Sequence, residues 1–359
     1  MARFNVRDVI QAISIENTAV NEYLTGDVGA TFRQYPGDPI PPVLPTRTPV
    51  EDNAVGDGKA YPKQSKPYYF NPLNYPYGMA LNSTMGQRVL RNWLGGTVTD
   101  TPNVPLGVTD ELVAMKSPGE APLVCNLMRK LGGEQFIFGD CYVQTVEISQ
   151  QMAGEPRIQA AFNNPGHFKK ISDSSVDIVD VDAMDPYLKY HGAKTRLTFS
   201  DGVDSYDFAA EGRLIDVSFS GNQNVKVDQL PGDGFYDAAN ECHGAVAKNF
   251  FIDLQSAEMK AKVYMDSAFA QFASWLPNRK LTSVSLVFKS CEKIGISTGV
   301  SEVEIKIPVA EFNLEGDQQD NFSAYSFNIR AIEGDPTTGS LVMARFRRVT
   351  LDPIDELAP

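Results

Sequence analysis

A serine set between glycines, Gly295-Ile-Ser-Thr-Gly299, is the first place where this chain could do covalent chemistry. As a nucleophile elbow the pattern needs a strand before the serine, a helix after it and a histidine later in the chain. Here a strand pattern follows, and the three histidines, His167, His191 and His243, all precede Ser297. The segment reads as a hairpin turn. Asp177, Asp180, Asp182 and Asp185 offer oxygen ligands for calcium, but no register supplies both the sixth-place glycine and the twelfth-place glutamate of an EF-hand loop. Cys242 and His243 are adjacent, with no second Cys/His pair at zinc spacing. Cys125, Cys141, Cys242 and Cys291 are scattered, no two at CxxC spacing, and are expected to be buried free thiols. A glycosidase needs two carboxylates at a fixed separation, and nothing among the 45 acids selects a pair. GxGxxG and P-loop motifs are both missing. The reading is a protein without catalysis, cofactor or metal.

The elements that would carry such residues are mostly strands. Val143 to Ile148, Leu197 to Phe199, Leu214 to Phe219 and Val303 to Ile307 alternate as half-buried strands do. Leu281 to Phe288, Phe322 to Ile329 and Leu341 to Val349 read the same way. Two segments predict helices. The first runs from about Ser83 to Leu94, with Thr84 and Gln87 spaced as a capping box and Gly95 as the C-cap. Met85, Val89, Leu90, Trp93 and Leu94 form its apolar face. The second starts at Asp266, carries Phe269, Phe272, Ala273 and Leu276 on one face, and stops at Pro277.

Those helices expose an internal repeat. Arg91-Asn-Trp-Leu-Gly95 lies over Ala273-Ser-Trp-Leu-Pro277, and Met79 to Ser83 over Val263 to Ser267. Leu123 to Met128 matches Thr282 to Val287, Cys141 to Ile148 matches Ile305 to Phe312, and Ala12 to Asn17 resembles Asp216 to Gly221. The expectation is two copies of one α+β unit. Residues 1–170 hold the first unit, 171–192 an acidic linker, 193–335 the second unit, and 336–359 a C-terminal strand and tail. A long loop enters each unit. The first, 26–67, holds eight prolines, among them Pro36 and Pro41, and is expected to stay out of any sheet. Its counterpart is 221–248.

Length and composition bound the rest. With 359 residues, 42% of them apolar, the chain can bury two cores, and most of it is not disordered. The net charge of −13 gives neither half a basic patch for gripping phosphates, so the surface would meet DNA by repelling it. No run reaches the ~20 apolar residues of a membrane span. The first eight residues lack the apolar core of a secretory signal, so the expectation is a soluble protein that folds where it is made.

In the order of these elements the chain resembles the major tail tube proteins of long-tailed, siphovirus-type bacteriophages, in their two-unit form. Tyr77-Gly-Met-Ala-Leu-Asn82 sits where that family has a strand entering its helix. Phe138 to Ser149, then Arg157 to Phe162, is similar to the family's passage of a small turn, a cysteine and two alternating strands. Leu214 to Phe219 with Asn222 to Val227 resembles the opening of its second unit. The resemblance implies a mainly β (α+β) fold of two tandem tail-tube-like units, each two packed antiparallel sheets with one flanking helix. Copies would join edge to edge into a ring-shaped β-barrel, here a homotrimer with pseudo-sixfold symmetry, and rings would stack into a hollow conduit for genome ejection. Implied partners are further copies of itself and the tail terminator, tape measure and distal tail proteins, with DNA passing through the lumen without specific binding. The implied location is the virion tail, assembled in the host cytoplasm, with no membrane. Acidic residues are expected to line the lumen. Contacts between rings are assigned to the long loops, through Pro36, Pro41, Leu44, Leu230, Phe235 and Tyr236. The alternative is a tandem β-sandwich adhesin or carbohydrate-binding protein with Tyr68, Tyr69 and Tyr75 as a sugar platform.

Overall fold

In the computed structural model the described residues are 9–14, 32–34, 47–49, 52–56, 59–63, 67–70, 77–81, 84–100, 108–131, 134–151, 154–163, 167–172, 178–179, 194–209, 214–230, 246–264, 282–289, 302–319 and 322–349. They form strands and a single helix. In chain order these are β1 (Val9–Ser14), β2 (Phe32–Gln34), β3 (Arg47–Pro49), β4 (Asp52–Gly56), β5 (Lys59–Lys63), β6 (Pro67–Phe70) and β7 (Tyr77–Ala80). The helix α1 (Thr84–Leu94) follows, then β8 (Gly95–Asp100), β9 (Val108–Met115), β10 (Cys125–Leu131), β11 (Glu134–Gln151), β12 (Arg157–Asn163), β13 (His167–Ser172) and β14 (Ile178–Val179). The remainder are β15 (Arg196–Ser200), β16 (Ser205–Ala209), β17 (Leu214–Asn222), β18 (Val225–Leu230), β19 (Val246–Ile252), β20 (Ser256–Tyr264), β21 (Thr282–Lys289), β22 (Glu302–Gln319), β23 (Phe322–Glu333) and β24 (Met343–Val349).

Two strands of 18 residues organise the molecule, because each serves two sheets. The first half of β11 pairs with β10 and β13, and its second half with β12 and β17. The first half of β22 pairs with β21 and β24, and its second half with β23. Register shifts between Val143 and Thr145 in β11, and between Ile307 and Ala310 in β22, mark the crossing points. Such bulges bend a strand and let it leave one sheet for another.

The second halves build a seven-stranded antiparallel sheet in the order β7, β12, β11, β17, β20, β23, β22. One row of cross-strand partners runs across all of it: Met79, Ile158, Ile148, Phe219, Met259, Ile329 and Phe312. The first six of these are at most 1% exposed, and Phe312 packs on the same core. The alternation of β20, β12 and, from Ile215 onward, β17 follows, since successive side chains point to opposite faces. The first halves build two outer sheets. One runs β14, β2, β1, β10, β11, β13, and the other β16, β15, β21, β22, β24, β9, β8. Phe199 and Phe208 from the second outer sheet meet Phe312 and Phe327 from the seven-stranded sheet at ring separations of 5.3–5.6 Å.

The helix ends where the sequence predicts, with Gly95 at φ +65° as its left-handed cap. Met85, Val89, Leu90, Trp93 and Leu94 are all buried. Trp93 lies edge-on to Phe219 of β17, 5.9 Å away, and its ring fills the space over Gly221, where a Cβ would come within 2.3 Å of Cζ2. Arg91 covers the ring of Phe346 in β24 and pairs with Glu111 in β9. The first helix therefore wedges between strands that come from both ends of the chain.

Several sequence expectations change. Phe138 to Ser149 contains no turn: β11 continues through Gly139 and Asp140, where its pairing with β10 shifts register. Ala12 to Asn17 was matched to Asp216 to Gly221, yet β1 lies beside β10, the position that β15 takes beside β21. Local alternation alone cannot tell one strand position from another. Part of the Pro-rich segment is a sheet segment after all. β3 pairs with β6 and β4 with β5, in two-stranded ribbons. Among the described residues each strand of a ribbon pairs on one side only, so Pro49, Pro62 and Pro67 fit as prolines do on edge strands. Within the acidic linker, Ile178–Val179 pairs in parallel with β2. The second predicted helix and Gly295 to Gly299 lie outside the described residues.

Candidate assembly interface

The seven-stranded sheet has two ends without a partner among the described residues, β7 on one side and the second half of β22 on the other. Among the described residues no strand pairing closes it. Unpaired amide and carbonyl rows of this kind are templates for another chain. The same ladder already contains one filled edge of matching type. The second half of β11 offers Thr145 to Gln151 to β17, and β17 fills it with Asn222 to Asp216.

That internal joint is closed by polar side chains at its bulge. Gln144 donates from Nε2 to Asn222 Oδ1 at 2.8 Å and accepts the Gln223 amide on its carbonyl at 3.0 Å. Asn222 Oδ1 also takes the Asn224 amide at 2.8 Å, where Asn224 sits at φ +45°. Asparagine tolerates that left-handed geometry better than most residues. At the other end of the joint, Gln150 donates to Gly154 O at 3.0 Å while its Oε1 receives the buried Thr195 hydroxyl.

Across its middle strands the outward face of the sheet is mostly polar. Its central row reads Gly78, Gln159, Glu147, Ser220, Glu258, Arg330 and Glu311. Neighbouring rows add Arg157, Ser149, Ser218, Lys260, Asn328 and Asn313, then Gln151, Asp216, Lys262, Ser326 and Glu315. The charged members are five acids (Glu147, Asp216, Glu258, Glu311, Glu315) and four bases (Arg157, Lys260, Lys262, Arg330). Opposite charges stand across strands at Asp216 and Lys262, and at Glu258, Arg330 and Glu311, which favours the ladder.

Two ribbons supply the second kind of surface. β18 and β19 pair from Val225 and Ile252 out to Leu230 and Val246. The base of this ribbon is held firmly: Phe250 lies edge-on to Tyr142 at 5.8 Å with Val225 beside them. Ile252 exchanges backbone bonds with Gly119 and Glu120 at 2.7 and 2.8 Å, Gln255 donates to Lys116 O, and Lys226 pairs with Asp253 at 2.7 Å. Burial raises the Tyr142 phenol above its ordinary range, against the lowering effect of its hydrogen bond with Asn163, and Cys141 adds to the rise. The two ends of the 221–248 segment, 225–230 and 246–248, are therefore paired strands, and 231–245 lie outside the described residues. Of the residues assigned to ring contacts, Leu230 is the last of β18, whereas Pro36, Pro41, Leu44, Phe235 and Tyr236 lie outside the described residues. Tyr68 and Tyr69 fall on β6, and Tyr75 is outside the described residues.

The charged cluster that ties the last strand down escaped the sequence reading. Asp110 of β9, its side chain 3% exposed, accepts four bonds of 2.6–3.1 Å from Arg345 and Arg347 of β24. Arg347 also faces Glu302, which pairs with Lys289 at 3.1 Å. No signal marks these residues, which are up to 237 positions apart. No group of three or more His, Cys, Asp or Glu that could hold a metal occurs among the described residues, and no helix there is long and apolar enough to cross a membrane. No known family profile matches the chain, and no curated protein matches it either.

Proposed function

We propose that this protein is a structural subunit of a bacteriophage tail tube: three copies close a ring, rings stack, and the bore conducts DNA. The observation that carries the reading is the pair of open edges on the seven-stranded sheet, next to an internal joint of the kind a ring would repeat. The pairings β1–β10–β11–β13 and β11–β12–β7 recur as β15–β21–β22–β24 and β22–β23–β20, which supports a duplicated unit. Strand spacing favours three chains over six. At ~4.8 Å between strands tilted ~40°, three such sheets close a barrel roughly 40 Å across its backbones, about 30 Å inside its side chains. A duplex of roughly 20 Å, about two groove depths and the core between them, passes with a water layer to spare. Six chains would double the width to roughly 80 Å and leave the duplex unguided.

The outward face of the sheet is the wall of this bore. The three rows named above carry five acids against four bases. Such a wall lets DNA slide, because duplex affinity comes mainly from neutralised phosphates. The ribbons reach between stacked rings. Tail terminator, tape measure and distal tail proteins are the partners at the ends and inside the tube, and the location is the virion tail.

Electron microscopy and light scattering on purified protein test this. Rings or tubes built from trimers are the expected result. Protein that stays monomeric at high concentration, or rings of six chains, would overturn it.

A further inference from the structure

Cys125 and Cys141, 16 positions apart in the sequence, are direct cross-strand partners on β10 and β11. Both side chains belong to one buried cluster, at 1% and 0% exposure, and both are thiols. Cys141 Sγ donates to Phe138 O at 3.3 Å. Directly opposed residues on antiparallel strands have Cβ atoms about 4.5–5.5 Å apart. A disulfide needs about 3.5–4.5 Å. The gap is therefore about an ångström, and the register shift between Cys125 and Leu127 gives the backbone a place to absorb it.

We propose that Cys125 and Cys141 are a latent disulfide that closes under a small peroxide and staples β10 to β11 next to the crossing point of β11. One thiolate attacks a peroxide oxygen, the O–O bond breaks, and a sulfenic acid and water result. The second thiol attacks the sulfenic sulfur, the S–S bond forms, and its proton and the departing hydroxide leave as water. Two thiols are oxidised and one peroxide is reduced to two waters. Burial makes local opening of the sheet the slow step, so the bond forms gradually in the folded protein and persists once closed. The functional consequence is a stiffer β11, the strand that serves both the outer sheet and the joint with β17.

Peptide mapping tests this without altering either cysteine. Folded protein is treated with hydrogen peroxide, quenched with acid and N-ethylmaleimide, unfolded and digested with trypsin under non-reducing conditions. Cleavage after Lys116, Arg129, Lys130 and Arg157 puts Cys125 in peptide 117–129 and Cys141 in peptide 131–157, with Cys242 and Cys291 in others. The expected result is the 117–129/131–157 pair joined in most chains, lost on adding dithiothreitol, with an accompanying rise in melting temperature. Full alkylation of both thiols, over-oxidation of one alone, or linkage of either to Cys242, Cys291 or a second chain would each overturn the proposal.

Discussion

At the scale of single residues, three side chains carry disproportionate consequence. Asp110 is a buried carboxylate satisfied by two arginines, and its removal leaves Arg345 and Arg347 side by side with Glu302 and Glu304 as the remaining nearby acids. An Asp110→Asn variant is expected to lose about 2–3 kcal/mol of stability, read as a lower denaturant midpoint with an unchanged slope. Gly221 is held to glycine by the ring of Trp93 rather than by its backbone angle. Gly221→Ala should cost about 1–3 kcal/mol through overpacking. Adding Trp93→Phe, which removes the clashing Cζ2 and Cη2 atoms, should recover part of that loss, so additivity in the double-mutant cycle would refute the contact. Tyr142 is protonated in both states at neutral pH. Its folded value lies above its unfolded one, so its contribution is whole below the ordinary phenol range and is lost as pH rises through the raised value. Stability should decline above pH ~10, and Tyr142→Phe should flatten part of that decline.

At the scale of elements, the second half of β22 is the strand whose free side matters. Phe312 and Leu314 face the core while Glu311, Asn313 and Glu315 face outward, so both side-chain faces are already committed. What remains open is the backbone edge. Successive amides of an antiparallel strand alternate between bonding their neighbour and pointing away from it. Of Asn313→Pro and Leu314→Pro, one removes an amide bonded to β23 and the other an amide directed outward. The first should destabilise the monomer. Its sister should leave a folded protein with a native melting curve that no longer forms rings, because proline cannot donate across the new joint. If both variants fold and assemble normally, the β22 edge is not the joint. The Pro-rich ribbon is testable in the same terms. Replacing residues 36–62 with a short Gly-Ser link should give folded protein that cannot lengthen into tubes, and normal tubes would exclude a role between rings.

At the scale of the whole molecule, the halves are interleaved rather than merely tethered. β9, which follows the first helix, completes the outer sheet that holds β24 near the end of the chain, and α1 packs beneath the joint between β11 and β17. Separate expression of 1–170 and 193–359 should therefore give poorly folded fragments. They should recover cooperative unfolding only when mixed, as followed by calorimetry. Two fragments that each melt cooperatively alone would mean the shared sheet is not needed for folding. The same interleaving gives assembly a rigid building block, since a ring of loosely linked halves would lose ordering entropy at every joint.

Local physical chemistry already determined much of this protein. The helix from Thr84 to Leu94, its glycine cap and its buried Trp93 follow from 3.6-residue spacing and capping chemistry that act within a dozen residues. Strands such as Leu214–Asn222 and Thr282–Lys289 follow from alternation, which likewise needs no partner to be legible. Only the tertiary structure decided which strand lies beside which. It made one strand of Phe138 to Ser149, set β15 rather than β17 in the place of β1, turned Pro49, Pro62 and Pro67 into ribbon residues, and brought Cys125 opposite Cys141. It also assembled Asp110, Arg345 and Arg347 from opposite ends of the chain. Register and edge pairing are set by burial summed over whole rows such as Met79 to Phe312. That sum is a property of seven strands together and is written in none of them alone.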